Sequence, residues 1–306
     1  MSDTSVVGAA GPPRGDARTT AVMTLVVPAC DEEAVIARCL SSLTRQRERR
    51  IEVVVVCNGC TDRTADIVRS WIERDPRIRM VELAQGSKTQ AIRAGIARSA
   101  PGCLGVVDAD VTLSEDAVAG LCRSLAAPEP RIAAPAVRLD LTGCSSIVRR
   151  FYTVWMTEPY VAEGLIGAGV YAVNAMGRSR LAAMPDVLAD DAWARARFGR
   201  SNRCTSTGVF TVYPARSSLA LIRRRARVLA GNRQLAPRRT ATREPGQARH
   251  DLDPGRPAAR TTGSAGLLDR LSYRGIGLSA RMLVRWRTAR GTGATWGKDL
   301  TSRRTA

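Results

Sequence analysis

The sequence predicts an α/β fold, with a mostly parallel central sheet flanked by helices. Three observations point there. Short apolar runs alternate with amphipathic ones four times between Val22 and Leu125. Runs such as Ile51 to Val56 are continuous and β-branched, as in strands buried on both faces. Each run ends in a short polar or Gly- and Pro-containing turn.

The elements follow in order. Met1 to Thr20, rich in Gly, Ala, Pro, Ser and Thr, is expected to be a disordered leader. Val22 to Val27 is a strand. Asp31 to Leu43 is a helix whose first acids suit its positive N-terminus. Ile51 to Val56 is a strand, and Thr61 to Trp71 a helix capped by Thr61. Ile78 to Leu83 pairs with the helix Lys88 to Ala97, and Cys103 to Val107 with the helix Ser114 to Leu125. Right-handed crossovers then place the strand-end loops on one edge. Past Pro128 the rhythm loosens. Ile132 to Leu141, Gly167 to Val173 and Val209 to Tyr213 are expected strands. Ser146 to Met156, Asp190 to Phe198 and Ser217 to Leu229 are expected helices. The expected organisation is a leader at 1–20, one domain at 21–235, a flexible linker at 236–265 and a basic tail at 266–306. In that tail Leu271, Leu278, Met282 and Trp286 give an amphipathic spacing, which Gly275 and Gly277 weaken.

Composition narrows the function classes. Of the net charge of +19, the segment Gly231 to Ala306 supplies +11. A basic surface favours anionic partners: phosphorylated substrates, lipid headgroups or nucleic acid. Only 4% of residues are aromatic, which argues against a base-stacking platform, so no specific nucleic acid is expected. The first 20 residues lack an apolar signal core, and no run of 18 apolar residues occurs. The expectation is a cytoplasmic protein, with peripheral contact to the inner face of an anionic membrane open to its tail. The eight cysteines are then reduced. Cys57-x-x-Cys60 permits a redox reading, but zinc would need two more ligands, and the single histidine, His250, lies in the expected linker.

Six motifs carry candidate chemistry. Asp108-Ala109-Asp110 ends a buried strand, where open α/β sheets bind ligands. Two adjacent carboxylates repel unless a cation sits between them, and Mg²⁺ is commonly shared between carboxylates and substrate phosphates. Pro28-Ala29-Cys30-Asp31-Glu32-Glu33 and Cys57-Asn58-Gly59-Cys60-Thr61-Asp62 end the first two strands on the same edge, where they could hold a nucleoside. Lys88, one of two lysines in a chain that otherwise uses arginine, opens a helix where free amides suit a diphosphate. Asp190-Asp191 opens another helix and could supply a general base. Arg223-Arg224-Arg225-Ala226-Arg227 could clamp phosphates. Each motif also has a plainer structural reading as a helix cap, tight turn or solvated face.

In this order, over roughly Val22 to Leu235, the motifs resemble those of family-2 glycosyltransferases, inverting sugar transferases of GT-A fold. The missing Gln-x-x-Arg-Trp signature places the resemblance with non-processive members, and Arg285-Trp286-Arg287 with Trp296-Gly297-Lys298-Asp299 loosely resembles the tails of some bacterial ones. It implies transfer of one sugar from a nucleoside diphosphate sugar to an acceptor hydroxyl on a lipid, saccharide or small metabolite, with Mg²⁺ or Mn²⁺ as cofactor. By the same resemblance Pro28, Cys30, Glu32 and Asn58 line the nucleoside pocket. Lys88 approaches the diphosphate, with Arg225 and Arg227 assisting. Asp108 serves ribose and metal, Asp110 binds the metal, and Asp191, preceded by Asp190, deprotonates the acceptor. Cys30 departs from the family's usual aromatic and Asn58 from its frequent aspartate. Two alternatives stay open: a non-catalytic basic protein on a membrane surface, and a nucleotidyltransferase. The latter usually has a basic Gly-rich loop after the first strand, whereas this loop is acidic.

Overall fold

Apolar β-branched runs must bury both faces, and they do so here as neighbouring strands of one sheet. The computed structural model describes residues 22–158, 161, 169–240 and 265–290. The expected leader and most of the expected linker lie outside them. The first half holds β1 (Met23–Ala29), α1 (Ile36–Thr44), β2 (Ile51–Asn58), α2 (Thr64–Arg74), β3 (Ile78–Leu83), α3 (Lys88–Arg98) and β4 (Cys103–Val107). Then come β5 (Thr112–Leu113), α4 (Ala117–Ser124), β6 (Ile132–Leu139), α5 (Ser146–Trp155) and β7 (Val170–Val173). The last elements are α6 (Arg178–Ala182), α7 (Asp190–Ala196), β8 (Arg203–Val212), α8 (Ser218–Thr240) and α9 (Leu267–Ala289).

The strands form one sheet in the order β3-β2-β1-β4-β7-β6-β8-β5. β3, β2, β1 and β4 are parallel. β7 runs antiparallel to β4 and β6, β8 parallel to β6, and β5 antiparallel to β8. The parallel character therefore belongs to the half built from regular β-α units, and the other half is mixed. Successive strand residues pack on opposite faces. Leu25, Val27, Val53 and Val55 join α1 in one cluster. Val26, Val54, Val56 and Leu104 join Ile92 of α3 and Tyr171 in the other.

Local chemistry shifts some boundaries. Asp31 has φ 43, a left-handed conformation, and its carboxylate accepts the backbone N–H groups of Thr61 and Asp62 from the neighbouring loop. It staples two loops together instead of starting a helix, so α1 begins at Ile36. Thr61 is held in the same staple and caps nothing. α8 continues to Thr240, past the expected start of the linker. α9 runs straight through Gly275 and Gly277. Each glycine costs about 1 kcal/mol of helix propensity. Packing of Ile276, Ala280 and Val284 against α5 and α8 outweighs that. Among the described residues no helix is long and apolar enough to cross a membrane.

Candidate active site

Lys88 is placed by the helix that it opens. Ser87 caps α3 by accepting the Gln90 N–H at 3.4 Å. Seven residues on, Gly95 lies against β1: a Cβ there would stand 2.3 Å from Val26 Cγ1. Only glycine lets α3 sit this close to the sheet. Further along α3, Thr89 and Arg93 each bond Asp186 at 2.8 Å, tying the helix to the chain leading into α7.

The cleft forms where these pieces meet. Lys88 Nζ lies 2.7 Å from Asp108 Oδ1 and 2.9 Å from Asp190 Oδ1. The Tyr171 hydroxyl donates to the other Asp190 oxygen at 3.3 Å. Asp190 is therefore not a helix cap; its carboxylate is committed to Lys88 and Tyr171. Asp191 folds back onto its own helix, accepting the Ala192 N–H at 2.6 Å. Asp108 is fixed from behind, its N–H donating to the Gly169 carbonyl at 2.7 Å and its own carbonyl accepting the Cys39 thiol at 3.7 Å. Gly169 takes φ +104 and a Cβ would crowd Asp108 Oδ2 at 3.3 Å, so this backing requires glycine.

The electrostatics show one ammonium among several acids. Burial opposes the charge on Lys88, but Asp108, Asp190 and Asp191 outweigh it and hold its pKa well above the ordinary value. Burial and the neighbouring Asp190 push Asp191 up to about 7. Burial, Asp190 and Asp110 push Asp108 up to about 6, against the pull of Lys88. No described residue donates a hydrogen bond to the Asp110 carboxylate, and Arg38 reaches only its carbonyl, at 3.5 Å. An excess of buried negative charge and an uncommitted carboxylate two residues from Asp108 suit a hard cation. Among the described residues no group of three or more His, Cys, Asp or Glu could hold a metal ion. A cation at Asp108 and Asp110 would therefore complete its shell with water or phosphate oxygens, as Mg²⁺ commonly does.

The ends of β1 and β2 form the adjoining edge. Pairing of β1 with β4 stops at Val26, so the missing N–H of Pro28 breaks no bond on that side. The Asn58 side chain is fully buried and donates to the Ala29 carbonyl at 2.7 Å, while its Oδ1 has no hydrogen-bond partner among the described residues. The Cys30 thiol lies 3.9 Å from the Gly59 carbonyl, and a Cβ on Gly86 would stand 3.6 Å from Cys30 Sγ. Glu32 is buried, its N–H donating to Thr64 Oγ1 at 2.6 Å. Pro28, Cys30, Glu32 and Asn58 thus border one region of the sheet edge, with Gly59 and Gly86 opening it. Gly59 takes φ +61 and a Cβ there would meet Gly86 N at 2.5 Å, so both the turn and the close approach require glycine.

The arginines are placed differently. The Arg225 guanidinium lies 5.6 Å over the Phe151 ring, against α5 and not against the acids. Arg227 follows two residues later on α8. That helix does approach the site, since a Cβ on Gly231 would touch Ala189, the residue before Asp190. None of the eight cysteines is in a disulfide. Tyr171, Cys39 and Gly169 contribute to the cleft without any signal in the motifs. The only trace was that Gly169 and Tyr171 both fall in the expected strand Gly167 to Val173.

Residues 24–182, about half of the chain, match the family model for Glycosyl transferase family 2. Among curated proteins, the chain is 34% identical over 89 residues to the uncharacterized glycosyltransferase EpsJ of Bacillus subtilis, covering 29% of this chain and 26% of that one. It is 29% identical over 103 residues to the glycosyltransferase GlyA of Streptococcus pneumoniae, covering 34% and 15%. It thus spans about a quarter or less of the length of these relatives. Among solved structures, the mannosyltransferase PcManGT from Pyrobaculum calidifontis, in complex with GDP-Man and Mn²⁺, superposes with a TM-score of 0.59 at 22% identity. That match covers 88% of this chain and 75% of the other, and it shows the shared GT-A fold. The chain belongs to glycosyltransferase family 2.

Proposed function

We propose that this chain moves one sugar from a nucleoside diphosphate sugar to an acceptor hydroxyl, inverting the anomeric carbon, with a divalent cation. The observation that carries this reading is Lys88 bridging Asp108 and Asp190, three residues remote in sequence joined in one cleft. The nucleoside lies along Pro28, Cys30, Glu32 and Asn58, which directs the diphosphate toward Lys88. The acceptor oxygen bonds to the anomeric carbon as the bond from that carbon to the diphosphate oxygen breaks. Asp191 takes the hydroxyl proton, and its elevated pKa matches a base working near neutral pH. Lys88 meets the charge that develops on the leaving group. Asp190, held by Lys88 and Tyr171, positions the helix that carries Asp191. Asp108 and Asp110 would hold Mg²⁺ or Mn²⁺, which supplies Lewis-acid neutralisation of the diphosphate. Arg227 is the better placed of the two arginines to assist, because Arg225 is engaged with Phe151.

Two variants test the assignment. Asp191→Asn lowers kcat by roughly 10²- to 10⁴-fold while leaving donor binding intact. Wild-type turnover in that variant would remove Asp191 from the base role. Asp110→Ala abolishes metal-dependent donor binding. A thermal-shift panel of nucleotide sugars with and without Mn²⁺ identifies the donor, since ligand at 100 times its Kd stabilises by about 2.7 kcal/mol.

A further inference from the structure

The outer face of α9 has no role in the cleft, yet it gathers much of the exposed apolar surface of the described residues. Leu267, Leu268, Leu271, Leu278, Met282 and Trp286 are each more than half exposed. At 100° per residue all six fall within an arc of about 100° on one side of the helix. Arg270, Arg274, Arg281 and Arg285 form a row beside and partly within that arc, and all are exposed. The opposite side is spoken for: Ile276, Ala280 and Val284 are buried against α5 and α8. The helix's one acid, Asp269, turns inward, 3.8 Å from Arg150 of α5. The two supporting helices carry no acid at all. Their sequences and that of α9 together hold 14 arginines against Asp269 alone.

We propose that this face of α9 docks on an anionic lipid bilayer. A stripe of leucines with Met and Trp, bordered by arginines on a helix of 23 residues, is the pattern of an interfacial helix lying in the membrane plane. Charge complementarity selects the partner. The arginines run along the apolar arc and Asp269 is the one acid on the three packed helices, so the face carries an unbalanced positive charge that an anionic surface answers and a second, equally basic copy would repel. Phospholipid headgroups answer both features at once, the phosphates taking the guanidinium groups while the acyl boundary takes the leucines. The Arg290 guanidinium lies 4.3 Å over the Trp286 ring, presenting a cation and an aromatic side by side at the end of the helix. The inference rests on this surface alone, not on the transfer reaction.

The test uses the full chain and co-sedimentation with vesicles of phosphatidylglycerol and phosphatidylcholine, or of phosphatidylcholine alone. Binding to the anionic vesicles is expected to exceed that to the neutral ones by at least about 10-fold, and to weaken with salt. L271S/L278S/M282S alters only exposed positions and is expected to lower vesicle binding about 10-fold or more, with an unchanged melting curve. R270E/R274E/R285E is expected to abolish it. Wild-type protein that stays in solution with anionic vesicles overturns the proposal. Variants that bind like wild type do so too, since another part of the chain then makes the contact. So does a wild-type dimer that the apolar variant splits without any lipid binding, since a second copy then covers the face.

Discussion

Lys88→Met probes the charge balance of the cleft, because methionine keeps the apolar stem and removes the ammonium. Its two partners, Asp108 and Asp190, would lose contacts of 2.7 and 2.9 Å. Removing one member of a buried ion pair costs about 3–5 kcal/mol. The Asp190 side chain is 3% exposed but that of Asp108 is 29%, so solvent softens part of the loss. The expected cost in metal-free protein at pH 7.5 is therefore near the low end, about 3 kcal/mol. The sign of its pH dependence follows from proton binding. Lys88 has a raised pKa, so in the wild type its contribution stays whole throughout the neutral range and is lost only at high pH. In the variant, Asp108 is raised by burial without the Lys88 ammonium that lowers it, so it holds a proton in the folded state that it has already released when unfolded. Stability then falls as pH rises. The deficit at pH 5.5 should be smaller than at pH 7.5 by at least about 1.4 kcal/mol, one pKa unit. Urea unfolding followed by circular dichroism, in EDTA, reads both values. A deficit under about 1 kcal/mol that does not change with pH would refute the convergence of these charges on Lys88.

Other consequences can be checked together. The acidic limb of the pH profile of kcat/KM should have its midpoint near 7, where Asp191 gives up its proton, and a profile flat from pH 5.5 to 8.5 contradicts that base. Gly95→Ala should cost about 1–3 kcal/mol through the contact with Val26, and Val26→Ala in the same chain should restore part of it. Strictly additive losses in that double mutant argue against the close helix approach. Gly59→Ala forces a strained φ and a clash with the Gly86 backbone, so it should cost on the order of 1–3 kcal/mol of stability and raise KM for the donor in the protein that still folds. An unchanged KM removes this turn from the nucleoside edge.

The parallel half of the fold was legible because its signals are local. Ile78 to Leu83 and Cys103 to Val107 are strands with the expected limits, the second an apolar run and the first interrupted only by Arg79 and Glu82, each closed by turn residues. The mixed half was harder to read because its pairings are not local. The two-residue strand at Thr112 exists only through its partner Thr211. The first residues of β8, Arg203 to Ser206, are mostly polar, yet they are extended because β6 pairs with them. At the site, residue types identified Lys88, Asp108 and Asp190 as candidates, but not which of them touch. Tyr171 and Cys39 escaped notice because a buried tyrosine and a buried thiol look like core until a partner stands beside them. The arginine run shows the converse error: sequence proximity grouped Arg225 with Arg227, and helical geometry turns Arg225 onto an aromatic ring.

In the proposed reaction these acids and the Lys88 ammonium surround a cation-bound diphosphate. Anomalous diffraction from crystals soaked with Mn²⁺ and the nucleoside diphosphate that best stabilises the protein tests it most directly. One manganese peak is expected within coordinating distance of the Asp110 carboxylate, with phosphate oxygens between it and Lys88. Manganese bound elsewhere, or a diphosphate lying away from Lys88, would contradict it.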